Sequence, residues 1–182
     1  MTLRRLLLAL AVALPLFAEP GFAPKVPDVE VVTHEGKKVH FYRDLVQGNA
    51  VAVNFIFTNC STICPASGAM FATLQKQSGQ GVRFISVSID PSYDTPERLA
   101  AWSRRFRSGP GWILVTGSQT AIDKIVKAFG AANARPQDHQ PLTIIGNDAT
   151  HTWAKLYGFP DVDRINEVVA QVQQNARKGE AR

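Results

Sequence analysis

Residues 50–57, AVAVNFIF, are apolar at every position except Asn54. Successive side chains leave a strand on opposite sides. A run that is apolar on both sides needs cover on both, the condition met at the centre of a parallel or mixed sheet. This segment therefore rules out a sheet with one wetted face and calls for helices above and below it.

The rest of the chain supplies them. VRFISVSID (82–90), WILVTG (112–117) and PLTIIG (141–146) read as further strands. HTWAKLYG (151–158) reads as one more, antiparallel to its predecessor across an Asn147-Asp148 turn. Between them the spacing predicts a helix over 64–77 with Ala66, Met70, Phe71 and Leu74 inward. A second helix opens with Thr95 as cap, Pro96 at its first position and Glu97 on its dipole, and turns Leu99, Trp102 and Phe106 inward. A third is capped by Ser118, carries Ile122, Ile125, Val126 and Phe129 on one face and ends at Gly130. A last one over 161–176 buries Ile165, Val168, Val169 and Val172. Ahead of all this, VEVVTHEGKKVHFYRDL reads as a β-hairpin turning at Glu35-Gly36. The resulting order, β-α-β-α-β-α-β-β-α after the hairpin, predicts an α/β fold of thioredoxin-like arrangement: a central mixed sheet flanked by helices, with an N-terminal β-hairpin. At 182 residues it is one domain, over 24–182.

MTLRRLLLALAVALPLFA, at the start, has the basic and apolar regions of a secretory signal. Residues 1–23 are read as a signal peptide, cleaved after Ala18 or Ala23, or, if uncleaved, as a short N-terminal anchor. A bilayer span needs about 20 apolar residues, and this run is shorter. The expected location is exported and periplasmic, with attachment to the inner membrane only through that segment. No cysteine precedes a cleavage site to carry a lipid. The formal net charge is +5, and no dense Lys/Arg stripe is interleaved with aromatics, which argues against nucleic acid. The cluster SRRFR (103–107) reads as a solvated helix face, with a partner-docking patch as the other reading.

Cys60 and Cys64 are the only cysteines. A domain of this size needs no disulfide to hold it together, and closing so short a loop removes little chain entropy. On a helix, residues four apart have Cβ atoms roughly 5–6 Å from one another, and a disulfide needs about 3.5–4.5 Å. A modest adjustment closes the bridge, and the same spacing lets both sulfurs reach one metal ion. A helix N-terminus favours the thiolate, which is both nucleophile and metal ligand. Among the histidines, His34 and His40 belong to the hairpin and His151 to an edge strand, positions suited to surface roles. His139 lies in RPQDHQPLTIIG, before a strand whose preceding loop sits beside the thiol pair in a thioredoxin-like fold. Two thiolates and an imidazole suit copper, Cu(I) above all. Zinc would accept them with water as a fourth ligand. A nucleophile elbow, a phosphate loop and a dinucleotide fingerprint are all missing from the sequence. A peroxide-reducing site would want an arginine that the local pattern does not place.

Three segments resemble the Sco/SenC family. NFIFTNCSTICP is similar to its strand followed by Cys-x-x-x-Cys-Pro, VSIDPSYDTPERL (87–99) to its Asp-Pro and Asp-Thr-Pro segment, and DHQPLTIIG to its Asp-His before a strand. They occur in the family's order. The resemblance implies a thioredoxin-like domain outside the cytoplasm that binds one copper ion, Cu(I) or Cu(II), through Cys60, Cys64 and His139. It implies a metallochaperone that helps assemble the copper centre of cytochrome c oxidase, or of another exported copper protein, with that copper-centre subunit as client. The alternative is a thiol-disulfide oxidoreductase that keeps partner cysteines reduced, with Cys60 attacking and Cys64 resolving, so whether the chain is an enzyme stays open. Asp90-Pro91 is expected to end a strand and Asp94-Thr95-Pro96 to cap a helix, with support of the site by Asp90 or Asp94 as the sharper reading. Pro141 stands where thioredoxin-like folds often carry a cis proline.

Overall fold

The first strand pair, β1 (Glu30–Thr33) and β2 (Lys38–His40), forms the expected hairpin. The structure, a computed structural model, describes residues 22–78, 81–131 and 138–180. Residues 1–21 of the expected leader lie outside the described residues. Phe22, at the leader's end, packs against the folded domain beneath Lys155, whose Nζ is 4.1 Å from the ring centroid.

After the hairpin the chain does not continue as strand. Phe41–Val46 forms a short helical turn, because Phe41, Leu45 and Val46 recur at helical spacing and all three are buried. Then come β3 (Ala50–Ile56), α1 (Ile63–Gln77), β4 (Arg83–Ser88), α2 (Pro96–Phe106), β5 (Trp112–Thr116), α3 (Gln119–Phe129), β6 (Leu142–Asn147), β7 (Thr152–Tyr157) and α4 (Val162–Glu180). This is the predicted order. The last helix runs four residues further than its apolar pattern, on a polar tail.

One seven-stranded sheet results, in the order β2-β1-β5-β4-β3-β6-β7. The strands β3, β4 and β5 are parallel, whereas β6 lies antiparallel to β3, β7 to β6 and β1 to β5. Central β3 obeys the two-sided pattern. Ala52 and Ile56 face a core filled by α1, α2 and α4, while Val51, Val53 and Phe55 face one filled by α3 and the Phe41–Val46 turn. Thr95 and Ser118 cap their helices as expected, accepting from the backbone N–H of Arg98 at 3.4 Å and of Ala121 at 3.2 Å. Gly130 closes α3 in the left-handed conformation at φ 68°.

One expectation is corrected. Ala66 is exposed, and the buried face of α1 is instead Cys64, Ser67, Gly68, Phe71 and Leu74. Phe71 and Leu74 are buried as expected and Met70 packs against the core, and α2 presses close at Gly68, where a Cβ would stand 2.8 Å from the Phe106 ring. Pro141 follows a trans bond, like all the described residues.

Candidate dithiol and metal site

The chain leaves β3 at Ile56 and reaches α1 through Phe57–Thr62. The Cys60 N–H donates to the Phe57 carbonyl at 3.2 Å, which folds this loop back on the strand end. Thr62 stands at the cap position of α1 but makes no side-chain capping bond. The sulfur of Cys60 does that work: the backbone N–H of Cys64, in the first turn, donates to Cys60 Sγ at 3.3 Å. One of the helix's open N–H groups therefore points at a thiol, where the helix dipole favours negative charge. Thr62 Oγ1 lies 3.7 Å from the same sulfur.

This geometry separates the two thiols. Burial pushes Cys60 up, but hydrogen bonds from the Cys64 backbone and thiol and from the Thr62 backbone and hydroxyl outweigh it and leave Cys60 below the ordinary thiol value. Cys64 is 1% exposed. Burial above all, with the neighbouring Cys60 and the Asp94 carboxylate, pushes it up to about 12 against a Phe57 backbone bond that pulls it down. Both cysteines are free thiols. Cys60 is the ready thiolate and Cys64 the reluctant one.

Asp94 holds the loop in place. It is fully buried, accepts from Thr58 N–H at 3.1 Å and from Thr58 Oγ1 at 2.5 Å, and takes the Ser88 hydroxyl at 2.6 Å. Burial raises its pKa above the ordinary carboxylate value, against the pull of those hydrogen bonds. Thus Asp94 does more than precede the Thr95 cap: it ties the β4–α2 connection to the residue two places before Cys60. Asp90 stays on the far side of that turn, accepting from Ser92 at 2.7 Å. Beneath α1, Asn54 bridges the hydroxyls of Ser67 at 3.1 Å and Ser86 at 2.6 Å, and Ser86 in turn accepts from the Trp112 indole at 2.9 Å. These four residues pin the start of α1 to β3, β4 and β5. The signal for them was present as the one polar residue of AVAVNFIF and the serines of VRFISVSID, which share a face of adjacent strands.

His139 approaches from the other side, just ahead of β6. It is 4% exposed, and its ring stands edge-on to Phe55 with centroids 6.1 Å apart. Burial lowers its pKa, partly offset by a hydrogen bond with the Phe55 backbone, so the neutral imidazole is favoured. A backbone carbonyl holding one ring N–H is the usual support of a metal-ligating histidine. Cys60 and His139 line one cavity of about 400 Å³, together with Phe57, Thr62, Ile63 and Pro141. Cys64, buried, is not among the residues that line it. Among the described residues no three His, Cys, Asp or Glu side chains stand close enough together to hold a metal ion. His34 accepts from the Leu114 N–H at 3.2 Å, His40 stands 3.4 Å from Asp28, and His151 is exposed; none of the three lines this cavity.

In its chemistry the donor set fits a soft metal. Two sulfurs and a neutral imidazole suit Cu(I) and are a poor match for magnesium or calcium, which take oxygen ligands. The same sulfurs, one acidified and one buried, also suit thiol exchange.

The SCO1/SenC family model matches residues 19–155. The SCO1 protein homolog of Bacillus subtilis is 36% identical over 57% of this chain and 55% of its own length, so the match spans about half of that relative. A Stutzerimonas stutzeri protein, provisionally named copper-binding, is 27% identical over 97% of this chain and 98% of its own. Among solved structures, BsSco, described as a member of the Sco family of cytochrome c oxidase assembly proteins, superposes with TM-score 0.72 at 27% identity, covering 84% of this chain and 95% of that one.

Proposed function

This chain belongs to the SCO1/SenC family, and from that premise we propose that it is a copper metallochaperone whose site is formed by Cys60, Cys64 and His139. The observation that carries this reading is the shared cavity, which Cys60 and His139 both line. Copper is the metal that the donor chemistry favours, and the Stutzerimonas relative's name points the same way. Capture deprotonates Cys64 and draws its sulfur to the cavity wall, where it joins Cys60 and the imidazole. A site with three ligands and an open mouth is suited to passing its ion on, since a partner's ligand can enter before the first set lets go. The client is an exported copper protein, and its class follows from the cytochrome c oxidase assembly role stated for BsSco. The protein works outside the cytoplasm, delivered there by the segment 1–23.

The test is a Cu(I) titration of the reduced protein. One equivalent binds, and prior oxidation of the thiols or any of Cys60→Ser, Cys64→Ser and His139→Ala weakens binding strongly. Equal affinity in all three variants would remove this site from consideration.

A second reading is favoured by one specific observation that sets the two thiols apart: the Cys64 N–H donates to the Cys60 sulfur at 3.3 Å, while the Cys64 side chain is itself 1% exposed. That split is what a dithiol reductant uses, with Cys60 attacking a partner disulfide and Cys64 resolving the mixed species. Cys64→Ser then accumulates a mixed disulfide with the partner, and its absence would count against this route.

A further inference from the structure

Helix α2 carries Arg98, Ala101, Trp102 and Arg105 at the spacing that puts them on one face. With Tyr93 and Thr58 they wall a second cavity, of about 260 Å³. Trp102 is 4% exposed, and its buried indole Nε1 meets no acceptor among the described residues. An indole nitrogen can only donate, and buried donors in folded proteins are otherwise nearly always satisfied. Arg98 lies over the Tyr93 ring, 3.6 Å from its centroid, and gives one N–H to the Tyr93 carbonyl at 2.8 Å. Arg105 lies 5.9 Å from the Trp102 centroid.

The charges around this cavity are positive and uncompensated. Among the described residues neither Arg98 nor Arg105 makes a salt bridge. Asp94 stands behind Thr58, but Thr58 and Ser88 occupy its oxygens. The Glu97 carboxylate turns to Thr95 and to its own backbone N–H. The cavity thus presents two guanidinium groups beside the Trp102 side chain, a set that matches an oxyanion.

We propose that this pocket receives a carboxylate side chain from an acidic surface of the partner that engages Cys60. One loop contributes to both cavities, Thr58 walling this one and Phe57, Asn59 and Cys60 the other, which brings a partner docked at Cys60 to this pocket. Tyr93, 38% exposed, adds an aromatic rim of the kind enriched at interfaces. The inference rests on the reading that Cys60 serves a protein partner, and it holds for copper transfer and thiol exchange alike.

The test follows the indole N–H resonance of Trp102 in the reduced, metal-free chain, assigned by its loss in Trp102→Phe. A capped hexaglutamate peptide is expected to shift it saturably, whereas hexaglutamine leaves it in place. Arg98→Gln and Arg105→Gln should each weaken the response about tenfold, the worth of one charge-assisted hydrogen bond. An unmoved Trp102 resonance, or unchanged affinity in both arginine variants, overturns the proposal. Acetate binding as tightly as hexaglutamate overturns the protein occupant. Cu(I) affinity measured on the same arginine variants should be unchanged, so that failure of this pocket and failure of the metal site are read on separate signals.

Discussion

The backbone N–H of Cys64 points at the sulfur of Cys60 from 3.3 Å. A residue that is itself a thiol thus caps its own helix with the sulfur of the other. The arrangement makes the pair unequal: the sulfur receiving the N–H is stabilised as an anion, and the sulfur one turn deeper is not.

Alkylation reads that inequality directly. Cys60 lies below the ordinary thiol value and Cys64 is held near 12. A short pulse of iodoacetamide at neutral pH should label Cys60 and leave Cys64 unlabelled until the chain is unfolded. Peptide mass spectrometry checks it, and equal labelling of the two would contradict the asymmetry.

Asp94→Ala removes the acceptor for the Thr58 N–H, the Thr58 hydroxyl and the Ser88 hydroxyl. Each buried donor left without an acceptor costs about 1–3 kcal/mol, and hydroxyls can turn elsewhere, so a loss of about 2–4 kcal/mol is expected in urea unfolding. The folded-state pKa of Asp94 is raised, so the folded chain keeps this proton longer than the unfolded chain. Its contribution is full below the ordinary carboxylate value and declines as pH climbs from there through the raised value. Asp94→Asn should flatten that slope.

Gly146 faces Trp153 across the β6–β7 pair. A Cβ there would fall 2.0 Å from the indole ring. Gly146→Ala is therefore expected to displace Trp153 and destabilise the fold by about 1–3 kcal/mol, the range for an overpacked core. Thermal unfolding and the tryptophan emission of the variant check both effects.

Copper affinity should rise with pH, because binding displaces thiol protons. Below the Cys60 pKa both thiols must release one, and the apparent affinity climbs about a hundredfold per pH unit. Above it only Cys64 still does, up to about 12, and the slope falls to about tenfold. His139, its pKa lowered, adds no proton at neutral pH. Competition titrations at several pH values give the slope.

Much of this was legible in the residues. AVAVNFIF demanded a central strand with cover on both sides, and β3 has it. Ser118, Gly130, Thr95 and Pro96 marked helix ends because caps act locally, through bonds within a turn. What escaped was set by contacts distant in sequence. Ala66 looked inward by periodicity but is exposed, and the close approach of α2 is at Gly68 instead. The hairpin reading runs through Leu45, but the chain coils over Phe41–Val46, where Phe41, Leu45 and Val46 fall at helical spacing. The Asn54 network and the burial of Asp94 depend on which strand lies beside which. Cys60, Cys64 and His139 were singled out by chemistry and order, and the inequality of the thiols came only from the helix start that the Cys60 sulfur caps.

X-ray absorption at the copper edge, on the reduced protein loaded with one equivalent of Cu(I), tests the central claim most directly. The account predicts two sulfur scatterers and one imidazole, with the imidazole signal lost in His139→Ala and the sulfurs kept. A parent spectrum of sulfur alone, or one that His139→Ala leaves unchanged, would contradict it.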